Sequence, residues 1–154
     1  MKQCVGAGDA PPLVTVVAMI NQAGAARDWP GVLRWESRLE ELLTLAEASH
    51  PQLISAFAWA NFDQGHYEKA SRLFQKRVQL LGKMERYSEQ GKDMCKVGDC
   101  FVRLNDAKGA DTWYQHARKL GDQHGLYSAE CAACLGLGRV AMYMHKEFED
   151  AEEL

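Results

Sequence analysis

The sequence predicts an all-α fold, a helical-repeat solenoid of antiparallel helix pairs, and three observations carry that reading. Apolar residues recur at helical spacing through most of the 154 residues, as in Leu53, Ile54, Phe57, Ala58 and Trp59, then Tyr67, Ala70, Leu73, Phe74 and Val78. Turn-forming residues such as Gly65 and Asn105-Asp106 punctuate these runs. A small residue near the start of each second helix (Val32, Ala70, Ala110 and Ala151) returns after 38, 40 and 41 positions. A steady period with one helix pair in each marks a chain whose units bury their apolar faces on copies of themselves.

Residues 1–12 hold Gly6, Gly8, Pro11 and Pro12 without periodicity and predict a flexible leader. Pro11 and Pro12 suit a helix start, where a missing N–H leaves nothing unpaired. The first helix is predicted over 13–26, with Leu13, Val16, Val17, Ile20 and Ala23 as its apolar stripe. After a turn at Arg27-Asp28, one long helix is predicted over 29–48, burying Val32, Leu33, Trp35, Leu39, Leu42, Leu43 and Ala46. Pro51 stops it, because the residue before a proline is steered away from the α region. Helices over 51–64 and 67–81 follow, joined by Gly65, a residue that tolerates positive φ. Gly82 ends the second, and helices over 84–104 and 107–120 form the next pair, with Gly121 as cap and GDQHG as linker. The spacing then predicts a helix over 126–144, a turn at His145-Lys146 and the opening of one more helix in EFEDAEEL, cut off in mid-helix. The predicted domain is 13–154, with units near 13–50, 51–86, 87–125 and 126–154, the last incomplete.

Gly65-His66-Tyr67-Glu68-Lys69-Ala70 with Phe74 one turn on, and Ala58 in the preceding helix, resemble the tetratricopeptide pattern of turn glycine, aromatic, small residue and aromatic. Gly98, Phe101, Ala110, Tyr114 and Ala117 repeat it. Trp29 and Val32 match more loosely in the first unit, and Phe148 and Ala151 in the last. The resemblance covers nearly everything after the leader. The period of about 40 exceeds the family's usual length of about 34 residues, and the proline that often closes a repeat is missing after Gln79 and Leu120. Longer helices of this kind resemble the variant repeats of spindle-orientation adaptors and kinesin light chains.

A net charge of −3 supplies no long-range attraction to nucleic acid or to an anionic membrane. The longest apolar run, 13–20 broken only by Thr15, is too short to span a bilayer, so no membrane insertion is expected. Five cysteines in helical settings do not form a secreted disulfide framework, which predicts a reducing, cytoplasmic location. Cys131 and Cys134 make a CxxC motif inside a predicted helix. A core role suits them better than zinc or redox chemistry, which remains a separate hypothesis open to thiol titration and metal analysis. No HExxH, Walker or GxSxG motif occurs. The chain is read as not an enzyme, with no cofactor.

The resemblance implies that the first helix of each pair lines a concave groove in which a partner's peptide lies. That geometry places Val14, Val17 and Asn21 there from the first unit, and Gln52, Ser55, Trp59, Phe62 and Asp63 from the second. The third adds Lys92, Cys95, Lys96, Asp99 and Arg103. The cations Lys92, Lys96 and Arg103 beside exposed aromatics suit an acidic peptide held by charge-assisted hydrogen bonds. Asn21, Lys92 and Lys96 fall where some family members clamp acidic chaperone tails, but Val17 and Ala56 replace two other clamp residues. The expected function is therefore a protein-protein interaction scaffold or adaptor. The rival is a structural piece of a larger assembly or longer protein, with self-association through the C-terminal end.

Overall fold

The computed structural model describes residues 11–49 and 51–152, and all regular structure among them is helical. The elements are α1 (Leu13–Ala25), α2 (Trp29–Leu33), a 3-10 turn (Glu36–Arg38), α3 (Leu39–Ser49), α4 (Pro51–Asp63), α5 (Tyr67–Lys83), α6 (Tyr87–Arg103), α7 (Ala107–His124) and α8 (Tyr127–Glu152). The predicted leader falls almost wholly outside the described residues.

Five turns share one construction. A residue one or two positions past the helix takes positive φ: Arg27 at 55°, Gly65 at 79°, Glu85 at 56°, Asn105 at 57° and Gly125 at 66°. The next N–H then donates five residues back, from Asp28 to Ala23, His66 to Asn61, Arg86 to Leu81, Asp106 to Phe101 and Leu126 to Gly121, at 2.8 to 3.0 Å. This arrangement satisfies carbonyls that a helix end otherwise leaves unpaired. Asp28 and Asp106 also cap the helix that follows, accepting from the N–H of Gly31 and Gly109 at 3.1 and 2.9 Å. From Gly65 to Gly125 the turns fall every 20 residues, so a helix pair occupies 40.

Helices α4 to α8 each pack on the next in sequence; α6 also packs on α8, and α1 and α2 pack on α4. One core cluster joins Val16, Ile20, Val32, Leu42, Phe57, Phe74 and Val97. A second gathers Cys95, Ala110, Tyr114, Ala117, Ala133 and Val140. Its centre is Tyr114 of α7, whose ring lies where α6 and α8 offer Gly98 and Gly136. A Cβ on Gly98 would stand 2.6 Å from the ring, and one on Gly136 would clash with the same edge. These glycines serve close approach rather than backbone freedom. Gly138 faces open space.

Four expectations are corrected. The predicted helix over 29–48 is broken into α2, the 3-10 turn and α3. Side chains of the turn are drawn to different neighbours: Glu36 pairs with Lys69 of α5 at 3.2 Å, and Arg38 donates to the Pro11 carbonyl at 2.7 Å. The expected turn at His145-Lys146 is absent, because α8 runs through it. Nothing there removes an N–H or favours positive φ, so EFEDAEEL does not open a second helix and residues 127–152 make one helix, not a pair. Gly121 does not end α7, which continues to His124. It is buried, with a Cβ position 3.1 Å from the Glu130 nitrogen, so it permits contact with α8 while Gly125 makes the turn. Residues 84–86 form a turn rather than the start of α6, because Glu85 takes the positive φ that glycine takes at Gly65.

Candidate functional site

Helix α4 buries most of its surface: Leu53, Ile54, Ala56, Phe57, Ala58, Ala60 and Asn61 are all inaccessible or nearly so. What remains open is the stripe Gln52, Ser55, Trp59, Phe62 and Asp63, spaced to lie on one helix face. On α6 the residues Lys92, Lys96, Asp99 and Arg103 form a similar stripe. Trp59 is half-buried. Its ring meets Phe74 edge-on at 5.9 Å and Phe62 at 6.1 Å, and Phe62 meets Tyr67 at 5.3 Å. The aromatics expected to be exposed are therefore packed against neighbours, and Trp59 keeps one side open.

Three cavities share Trp59. One of about 460 Å³ is lined by Asn21 and Gly24 of α1 and by Gln52, Ser55 and Trp59 of α4. A second of about 540 Å³ shares Trp29 with the first and adds Arg27, Phe62 and Asp63. The third, about 510 Å³, lies between α4, α6 and α8, with Lys92, Asp93, Lys96, Asp99, Leu135 and Arg139 on its walls. The structure thus brings Asn21, Gln52, Ser55, Trp59, Phe62, Lys92, Lys96 and Asp99 onto one surface. Arg103 stands outside these cavities, exposed, with its guanidinium 5.8 Å from the Tyr67 ring centre. Val14 is exposed and lines none of them, while Val17 packs against the core.

The charges in the third cavity are ordered. The Lys96 ammonium sits 4.6 Å from the Trp59 ring centre and 3.3 Å from the Asp99 carboxylate. Asp99 also accepts a hydrogen bond from the Tyr114 hydroxyl at 2.5 Å. Burial and that carboxylate push the Tyr114 hydroxyl well above the usual phenol range. Behind them lies a group that sequence reasoning missed. Arg77 of α5 is buried and donates to the Pro51 carbonyl at 3.1 Å, to Asp93 at 2.6 Å and to Glu89 at 3.1 Å. Burial pushes the Asp93 carboxyl up to about 6, although Arg77 pulls it down. The available signal was Arg77 itself, a charge on the apolar stripe Ala70, Leu73, Phe74, Val78 and Leu81, where an unpaired cation is costly. Leu135 and Arg139 were missed because α8 was not placed against the groove.

Cys95 forms part of the wall of the third cavity but is almost wholly buried, its S–H directed at the Ala129 carbonyl at 3.8 Å. Burial pushes its thiol up to about 11 and that of Cys100 up to about 12, so both stay protonated at neutral pH and lack thiolate reactivity. Cys134 is exposed, and the side chain of Cys131 lies outside the described residues. No group of three or more metal-ligating side chains occurs among the described residues, and none of their helices is long and apolar enough to cross a membrane. The arrangement offers half-buried aromatic surface flanked by fixed ion pairs and by exposed Asn21, Gln52 and Lys92. No model of a known protein family matches the chain, and no curated protein sequence matches it.

Proposed function

We propose that this chain is a non-enzymatic protein-interaction scaffold, a tetratricopeptide-like helical repeat that holds a partner's peptide or helix along α1, α4 and α6. The observation that carries the reading is the meeting of three cavities at Trp59. A half-buried aromatic ring already held by Phe74 and Phe62 loses little freedom on binding, and successive depressions beside it accept successive side chains of a ligand. The 20-residue rhythm of the turns from Gly65 to Gly125 supports the repeat assignment. The free thiols at Cys95, Cys100 and Cys134 fit a reducing, cytosolic setting.

Capture of partners by the immobilised chain tests this, using two exposed-charge reversals that leave the core intact. Lys92→Glu should weaken capture by about tenfold, the loss of one charge-assisted contact, and Arg103→Glu should leave it unchanged. Equal binding by all three proteins would remove the groove as the interface.

A second reading has its own observation. Leu135, Met142, Tyr143 and Met144 of α8 are exposed, at 69%, 72%, 61% and 45%. That apolar surface favours a structural piece of a larger assembly, packed through α8. Met142→Lys with Tyr143→Lys would then abolish association in sedimentation velocity while leaving capture through the groove untouched.

A further inference from the structure

In each of the five turns one residue's carbonyl receives the returning N–H: Ala23, Asn61, Leu81, Phe101 and Gly121. Four are apolar or small; Asn61 alone is polar. It is completely buried, its Nδ2 donates to the Phe57 carbonyl of its own helix at 2.9 Å, and its Oδ1 has no hydrogen-bond partner. A buried acceptor without a donor is costly, and leucine, as at Leu81, would avoid the cost.

Asn61 forms part of the wall of a cavity of about 590 Å³ that shares no residue with those around Trp59. The opposite wall is the 3-10 turn and the first turn of α3, where the expected long helix breaks, and α5 closes the side with Lys69, Arg72 and Leu73. The cations here are engaged. Arg38 donates to the Pro11 carbonyl and to Glu41, Lys69 pairs with Glu36, and Arg72 pairs with Glu68 outside the cavity. The Glu40 carboxylate is exposed at the cavity and forms no ion pair among the described residues, and Asn61 Oδ1 is buried without a donor, so the two groups left open to a ligand are both acceptors. Leu39 and Leu73 supply apolar surface beside them. The complement is a cationic, donor-rich head on an apolar stem.

We propose that this cavity is a second binding site, separate from the Trp59 groove, that takes an arginine side chain of a partner protein. The guanidinium donates to Asn61 Oδ1 and pairs with Glu40, and its methylenes lie along Leu39 and Leu73.

The test is a titration of the whole chain with N-acetyl-arginine-N-methylamide, followed through backbone amide resonances by NMR, with the citrulline analogue as the neutral control. The expected result is saturable shifts at Ser37, Asn61 and Lys69, at least about tenfold weaker binding by Glu40→Gln and by Asn61→Leu, and weaker binding of citrulline. Asn61→Leu should fold at least as stably as the parent, and Glu40→Gln carries the test if it does not. No shifts at these residues, equal affinity for citrulline, or unchanged binding by Glu40→Gln would overturn the proposal and leave Asn61 as a water-bound core residue. Free arginine in place of the capped probe separates the sources: tighter binding of the free amino acid would point to a small-molecule ligand and overturn the protein partner.

Discussion

The contact between α5 and α6 and the contact of α7 with α6 and α8 solve the same packing problem with opposite chemistry. Around Arg77 the interface is filled by a buried cation held by Asp93, Glu89 and the Pro51 carbonyl. Around Tyr114 it is filled by a ring set against Gly98 and Gly136, with one polar atom reaching Asp99. The ion network lines the third cavity at Trp59 and Tyr114 reaches Asp99 on its wall, so both hold the α6 stripe in place. The difference lies in how each tolerates change. A ring between glycines fails through overlap, whereas an ion network fails through an uncompensated charge.

The largest effect is expected at the ion network. Arg77→Met leaves Asp93 buried without its cation and should lower unfolding free energy by about 3–5 kcal/mol in urea titration. Arg77→Met combined with Asp93→Leu should recover most of that loss; if it does not, Arg77 acts through packing and the contrast collapses. Next comes the ring. Gly98→Ala should cost about 1–3 kcal/mol by forcing a methyl into Tyr114, and the cost should shrink when Tyr114→Leu is already present.

The two contacts should also differ with pH. Burial raises the Asp93 carboxyl from 3.8 to about 6, so the folded chain binds its proton more tightly than the unfolded chain does. This group's contribution is therefore full below about pH 4, falls as pH rises through 6 and then levels off. Chemical unfolding across pH 4–7 should show that decline, and Asp93→Asn should remove it while Gly98→Ala leaves it in place. The smallest effect is at a turn flanking the ion network. Glu85→Gly relieves a positive φ of 56° at the cost of a freer unfolded chain, for a net gain of a few tenths of a kcal/mol. Gly125 already has its glycine, so Gly125→Ala at the other contact should lose about 1 kcal/mol.

The sequence made the helices of the central region legible because apolar spacing in α4 and α5 is regular and Gly65 marks their turn. The 20-residue rhythm was half hidden, since Glu85 performs by backbone strain what glycine announces openly. At Gly121 the residue type misled, because a glycine serving close approach to Glu130 looks the same in sequence as one serving a turn. The break over residues 34–38 could not be read, because Val32, Trp35, Leu39 and Leu42 keep an unbroken helical spacing across it. The stripe on α4 was readable by periodicity. The Arg77 network depends on which carboxylates of α6 face α5, and that pairing across 16 positions has no local signature.

The central claim is that a partner lies along α1, α4 and α6 at Trp59, and site-specific photo-crosslinking tests it most directly. A benzophenone side chain would be placed at exposed positions on the groove, Gln52 and Lys92, and at exposed positions elsewhere, Gln115 and Lys119 on α7 and Tyr143 on α8. The account predicts that one partner is trapped from Gln52 and from Lys92 and from none of the other three. The same partner trapped from α7 or α8 and from neither groove position would contradict it.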